Sequence, residues 1–312
     1  MQVLIMDRGV HVDPEAVQRK CPTLRIIYAR NVEEALTRCA EAEVLVAMAH
    51  DVSDALVRAM PKLRYLCAMS AGLDRLETLT ALKPEVRVTS GRGIHGPQMS
   101  ELAFLSMIAL SRDFPRMQSN QRRHAWERWP QKLIYSKTAV IAGIGPIAEE
   151  LAARCKAFGM RLVGVSDARS EAPYFDAMMP RAQLTEAAAL ADFLIVLVPL
   201  TAKTRHMIDA QVLAAMKPTA VLINLARGPL IDEPALIARL KAGQLGGAAL
   251  DVFETEPLPP DSPLWDMPNV IITPRIGGMS DTYPEQVLPL LVHNLTAFAE
   301  GRLDAMTNVA RG

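Results

Sequence analysis

The chain has 312 residues, half of them hydrophobic, with 34 Lys and Arg balanced by 34 Asp and Glu. That length supplies two domains of ordinary size, and the neutral balance leaves no electrostatic footprint for nucleic acid or an acidic membrane surface. Cys21, Cys39, Cys67 and Cys155 are scattered without a CxxC pair, so they read as buried thiols of a reducing compartment rather than as disulfides or metal ligands.

The N-terminal MQVLIMD enters a strand directly and lacks a signal-peptide layout. The longest apolar run, Leu102 to Leu110, is broken by Ser106 and is too short to span a bilayer. These features predict a cytoplasmic protein with no membrane partner. No His, Cys or Asp cluster has ligand spacing, so no metal is expected.

From the N-terminus, residues 3–6, 25–28, 44–47 and 63–66 read as short apolar strands, and residues 13–20, 32–41 and 53–60 as the helices between them. Asn31 and Ser53 are candidate N-caps. Such alternation predicts a parallel, doubly wound sheet. After the fourth strand comes Met69-Ser70-Ala71-Gly72-Leu73-Asp74, whose small residues expose backbone N–H groups that suit a carboxylate; a plain strand-to-helix turn fits it equally. The glycine- and proline-rich loop Gly91–Pro97 marks a hinge. A long apolar helix follows from Gln98 to about Arg112. The polar segment 113–136, with Trp126 and Trp129, is expected to cover a helix end or a subunit contact.

Residues 137–167 form a strand–turn–helix–strand unit. Ala139–Ala142 is apolar, Gly143-Ile144-Gly145-Pro146-Ile147-Ala148 is the turn, and Leu151, Ala152, Cys155 and Phe158 follow at helical spacing until Gly159. The GxGxxA spacing suits a dinucleotide. Gly143 allows the tight turn, Gly145 keeps side chains away from a pyrophosphate, and Ala148 permits close helix–strand packing, with the helix N-terminus facing the anion. Further apolar runs at 193–200, 220–225, 248–253 and 270–274 complete a second sheet. Ligands of open α/β sheets lie beyond the strands' carboxyl ends, which singles out Arg227, Glu254, Glu256 and Arg275.

The stretches Asn224–Glu233 (NLARGPLIDE) and Gly247–Pro257 (GAALDVFETEP), together with Ser70–Asp74, Arg92–Pro97 and the glycine turn, resemble the D-isomer-specific 2-hydroxyacid dehydrogenases, in their glyoxylate/hydroxypyruvate reductase and phosphoglycerate dehydrogenase-like branch. The resemblance covers nearly the whole chain. It implies two doubly wound α/β domains, a Rossmann dinucleotide-binding domain (99–286) inserted into a flavodoxin-like substrate domain (1–98 and 287–312), with substrate in the cleft and a homodimer built through the cofactor domain. It also implies that Ser70, Ala71 and Gly72 hold a substrate carboxylate, that Arg227 binds that carboxylate and polarises the keto oxygen, and that Glu256 stands behind the catalytic acid. Cofactor contacts are expected from Gly143, Ile144, Gly145, Pro146, Ile147, Val198, Pro199, Thr204, Leu225, Ala226, Arg227 and Asp251. Asp251 at a strand end reads as structural ahead of a site-ordering role, and Asp232-Glu233 reads as a helix cap.

One position departs from the family pattern. The family's acid/base histidine lies in a T-P-H-x-x-G stretch, and here the sequence is Thr273-Pro274-Arg275-Ile276-Gly277-Gly278. Histidine cycles its proton near neutrality, whereas arginine is always protonated. Arg275 is left with electrostatic help to an alkoxide and with Glu256 as an ion-pair partner. Three readings follow. In the first, hydride transfer on a small 2-keto or 2-hydroxy acid proceeds with another proton source, His50 or His95, the two histidines expected at the substrate-binding site, before His11, His124, His206 or His293, with Tyr283 a weaker candidate. In the second, a nicotinamide-dependent enzyme performs altered, redox-neutral chemistry on a carboxylate substrate. The third is a non-catalytic cofactor-binding relative. For the cofactor, Ser166 stands where an acid would select NAD, with Asp167 next and Arg169 two beyond; Asp167 favours NAD, while Ser166 and Arg169 suit the 2′-phosphate of NADP. The expectation is NAD, with NADP open. Met69 and Met99 are expected beside the cleft.

Overall fold

The computed structural model describes residues 1–8 and 12–311. The chain divides into two units, residues 1–94 with 279–312, and residues 95–278 inserted in sequence between those stretches. His11 lies outside the described residues.

In the first unit, β1 (Gln2–Met6), β2 (Arg25–Ala29), β3 (Val44–Ala47), β4 (Tyr65–Ala68) and β5 (Arg87–Thr89) form a parallel sheet in the order β5–β4–β3–β1–β2, and the C-terminal strand Val309–Arg311 pairs antiparallel to β5. This is the flavodoxin-like order, with its switch point between β1 and β3. Alternate residues enter opposite cores. Val3, Ile5, Val44, Val46, Tyr65 and Cys67 pack with the helix Tyr283–Ala299, while Leu4, Met6, Leu45, Ala47, Leu66 and Ala68 pack on the other face. Because both faces are covered, the strands read as unbroken apolar runs. Asn31 accepts from the Glu34 N–H at 2.8 Å and Ser53 from the Leu56 N–H at 3.3 Å, so both predicted N-caps form.

In the second unit, β6 (Thr138–Ala142), β7 (Arg161–Val165), β8 (Ala177–Met179), β9 (Phe193–Val196), β10 (Val221–Asn224), β11 (Gly247–Leu250) and β12 (Val270–Ile272) are all parallel, in the order β8–β7–β6–β9–β10–β11–β12. This is the Rossmann order extended by one strand, with its reversal between β6 and β9. Again the strands feed two cores, Val140, Ala142, Leu194 and Leu222 on one side and Ala139, Ile141, Ile195 and Ile223 on the other.

Several boundaries differ from the sequence reading. β4 begins two residues later than 63. Segment 113–136 contains a helix, Phe114–Arg122, after Asp113 at φ 54°, and Trp126 beyond it is 94% exposed, covering nothing within the chain. Residues 279–286 group with the first unit, because Tyr283 shares a buried helix face with Val287 and Leu291. Residues 95–98 group with the second, where the long helix starts at Gly96 against the Glu150 side chain. Among the described residues no helix is long and apolar enough to cross a membrane. All four cysteines are buried and free, and burial pushes the Cys155 thiol up to about 12.

Candidate active site

The glycine turn lies at the reversal of the second sheet. Gly143 has φ +98°, and a Cβ there would come within 2.6 Å of the Val198 nitrogen and 2.7 Å of the Leu197 carbonyl carbon. Only glycine lets the end of β6 pass so close to the end of β9. Gly145 is different, since a Cβ on it would meet nothing within 4 Å. It caps the helix Pro146–Ala157, whose first turn has no side-chain cap. Ile144 and Ile147 pack their side chains against the apolar core. An uncapped helix start above side-chain-free backbone fits a dinucleotide pyrophosphate. Thr204 is buried, and its hydroxyl donates to the Pro199 carbonyl at 2.8 Å and accepts the Thr201 N–H at 2.8 Å. It therefore shapes the Val198–Pro199 loop.

At the end of β7, the Ser166 hydroxyl accepts the N–H groups of Ala168 and Arg169, both at 3.2 Å. Arg169 is paired with Glu149 of the glycine-turn helix. Asp167 accepts the Arg181 N–H at 2.8 Å and pairs with the Arg181 guanidinium at 2.9 Å. Its charge is thus matched on the β8 side. Glu149 and Arg181 were not legible as partners, since nothing in their spacing ties them to this strand end.

Beyond β10, the fully buried Asn224 donates to the Arg227 carbonyl at 2.8 Å and accepts the Ala226 N–H at 3.1 Å. Leu225 points into the core. The turn is pressed onto the next strand end, since a Cβ on Gly228 would fall 1.8 Å from the Phe253 carbonyl oxygen. Arg227 emerges half-buried, with Nη1 donating to the Ala226 carbonyl at 2.7 Å. Asn224 holds the turn that carries Arg227, a role the sequence reading missed; its one signal is that it is the polar residue within the apolar run at 220–225.

Beyond β11 and β12, Asp251 organises the loop that carries Arg275. Its carboxylate accepts the Thr273 hydroxyl at 2.6 Å and the N–H groups of Ile276 and Gly277 at 3.0 Å each. Burial pushes its carboxyl above the usual range. Arg275 sits in the left-handed region at φ 56°, and its Nη1 donates to Glu256 at 2.5 Å. The other Glu256 oxygen accepts the Phe253 N–H at 3.2 Å. Glu254 turns elsewhere, to Arg205 at 3.1 Å and His206 at 3.5 Å, so it does not join Glu256. His95 is buried at the start of the long helix, and a Cβ on Gly278 would lie 3.3 Å from its ring.

In the first unit, the Ser70 hydroxyl donates to the Gly72 carbonyl at 3.0 Å and accepts the Ala49 N–H at 3.3 Å. Among the described residues no acceptor takes the N–H groups of Ala71 and Gly72. His50 is exposed, 3.8 Å from Asp51. One expectation is corrected here. Tyr283 is buried and its hydroxyl donates to the Met69 carbonyl at 2.9 Å, so it is structural and no proton donor. Met69 and Met99 are core residues of the first and second units.

The profile of the D-isomer specific 2-hydroxyacid dehydrogenase NAD-binding domain matches residues 104–277. A glyoxylate reductase of Korarchaeum cryptofilum is 33% identical over 275 residues, covering 86% of this chain and 83% of that protein. The chain belongs to the D-isomer specific 2-hydroxyacid dehydrogenase family. Members of this family are NAD(P)-dependent oxidoreductases, and the matched span contains the glycine turn and every strand of the second sheet. A crystal structure of a family member from Aeromonas salmonicida superposes with a TM-score of 0.89 at 32% identity, covering 99% of this chain and 98% of that one. An NADPH-dependent glyoxylate/hydroxypyruvate reductase from Sinorhizobium meliloti, solved with NADP and sulfate, gives a TM-score of 0.84 at 26% identity, covering 99% and 98%.

Proposed function

We propose that this family member reduces small 2-keto acids of the glyoxylate and hydroxypyruvate class. The observation that carries the reading is that the carboxyl ends of one sheet's strands bear both an uncapped, side-chain-free helix N-terminus and the groups Arg227, Glu256 and Arg275. Gly143, Ile144, Gly145, Pro146 and Ile147 would cradle the pyrophosphate by backbone, with Val198, Pro199, Thr204, Leu225, Ala226 and Asp251 shaping the surrounding loops. The cofactor, when bound, supplies or accepts a hydride. Arg227 offers a planar fork to a carboxylate and positive charge to the keto oxygen. The N–H groups of Ala71 and Gly72 suit a carboxylate in the first unit.

Asp167 is charge-matched by Arg181, so no uncompensated acid stands at the end of β7. We therefore infer that the site takes NADPH as well as NADH, with Ser166 and with Arg169, which would leave Glu149, as the groups that would meet a 2′-phosphate. Leu105, Ile108, Phe114, Trp126, Leu133 and Tyr135 expose apolar surface on and after the long helix, which supports a homodimer, and the buried thiols fit a cytoplasmic setting.

A second reading, cofactor binding without turnover, draws on Arg275, because a guanidinium cannot cycle a proton. Fluorescence titration with NADPH and NADH, followed by assay with glyoxylate and hydroxypyruvate, separates the two. Under the reductase reading, Arg227→Gln lowers kcat/KM about a hundredfold, the loss of a charged hydrogen-bond pair, with little change in cofactor affinity. Arg169→Ala weakens NADPH about tenfold and leaves NADH unchanged. Cofactor binding with no turnover of any 2-keto acid supports the second reading.

A further inference from the structure

Hydride delivery to a keto carbon forms a C–H bond, breaks the C=O π bond and leaves the electron pair on oxygen. That oxygen then needs a proton. Among the described residues of the second unit, the titratable groups around Arg275 are Glu256 and Asp251, with His95 packed against Gly278 farther along the loop. Glu256 is engaged as an acceptor, from Arg275 Nη1 and the Phe253 N–H. Asp251 is buried and accepts three hydrogen bonds that hold the loop. A guanidinium is a hydrogen-bond donor that does not give up a proton in a protein. His95 is buried at the helix start.

We propose, building on the reductase reading above, that the substrate oxygen exchanges its proton with water and not with a side chain, while Arg275 holds the alkoxide by charge. In reduction the alkoxide takes a proton from water and releases hydroxide. In oxidation only the ionised hydroxy acid gives up its hydride, and its population rises about tenfold per pH unit below the hydroxyl pKa. The two directions therefore respond differently to pH. Reduction kcat/KM is flat from about pH 6 to about pH 8.5, and oxidation kcat/KM climbs about tenfold per unit across the same window. Their ratio changes with proton concentration as the equilibrium demands. Arg275→His transfers the pH dependence to the imidazole, with pKa about 6.5: reduction falls above that value and oxidation levels off.

The test measures both directions across this window for wild type, Arg275→His and His95→Gln, with calorimetric binding of oxalate to the cofactor-loaded protein in two buffers of different ionisation enthalpy. The expected result for wild type and His95→Gln is flat reduction, rising oxidation and an oxalate enthalpy independent of buffer. For Arg275→His, oxalate binding takes up protons and the enthalpy depends on buffer. A wild-type reduction rate that falls above neutrality, with buffer-dependent oxalate binding lost in His95→Gln, overturns the proposal by naming His95 as the donor. Absence of both turnover and oxalate binding defeats the reductase reading and the proposal with it. Turnover with the histidine-like profile in wild type defeats the proposal alone.

Discussion

Two loops of the second unit solve opposite problems with the same backbone region. At the end of β6, Gly143 takes φ +98° because the chain must pass the β9 end at distances no side chain tolerates, and Gly145 leaves open space above it. After β12, Arg275 takes φ 56° with a full side chain, and the strain of a left-handed residue, about 1 kcal/mol or more, is offset by Asp251 and its three accepted hydrogen bonds. The first loop works by what is missing, the second by what is held in place. A cofactor loop needs exposed backbone, whereas a loop aiming one charge at a substrate needs a rigid support.

This contrast breaks most visibly at Gly143. Gly143→Val is expected to destabilise the fold by about 3 kcal/mol through strain and overlap with Val198, measured as a lower denaturant midpoint, and to abolish cofactor binding. A stable, cofactor-binding variant would mean that the turn relaxes easily. Next comes the support of the second loop. Asp251→Ala strands the N–H groups of Ile276 and Gly277 and costs about 2 kcal/mol while leaving NADPH affinity within a few-fold.

Asp251 also sets a pH signature. Its folded pKa is raised, so the stability linked to its protonated form is complete below the unfolded value and is lost as pH rises through the folded one. The stability gap between wild type and Asp251→Asn should therefore narrow as pH rises from about 4, the ordinary carboxyl value. A gap that widens over that rise contradicts burial as the dominant influence on this carboxyl. The smallest effect on stability belongs to Gly145→Ala, because its methyl enters open space. Stability stays within about 0.5 kcal/mol, while cofactor affinity drops about tenfold or more; unchanged affinity would place the pyrophosphate elsewhere.

The same contrast explains what was legible in the sequence. Gly143 and Gly145 announce themselves because a backbone requirement maps onto one residue type at fixed spacing. The strand runs were equally plain, as sheets covered on both faces need continuous apolar residues, although β4 begins two residues later than expected and the helix Phe114–Arg122 was not anticipated. Arg275 was visible as a departure, but its geometry was not. The Asp251 hydrogen bonds span 22 to 26 residues and exist only because the ends of β11 and β12 lie side by side. The pairing of Asp167 with Arg181, 14 residues away, likewise depends on where β8 returns to the sheet. Tyr283 misled as a proton donor because its position after Arg275 in sequence carried no information about its burial.

The most direct measurement is steady-state NADPH oxidation by the wild-type protein with glyoxylate or hydroxypyruvate at neutral pH, beside Arg275→His. A working reductase with solvent-supplied protons predicts wild-type turnover that exceeds background, with the histidine variant faster by up to about a hundredfold, the low end of what an acid/base group contributes. Tight NADPH binding with no wild-type turnover, and activity that appears only in Arg275→His, would contradict the account and leave a cofactor-binding protein whose reductase chemistry has been switched off at one residue.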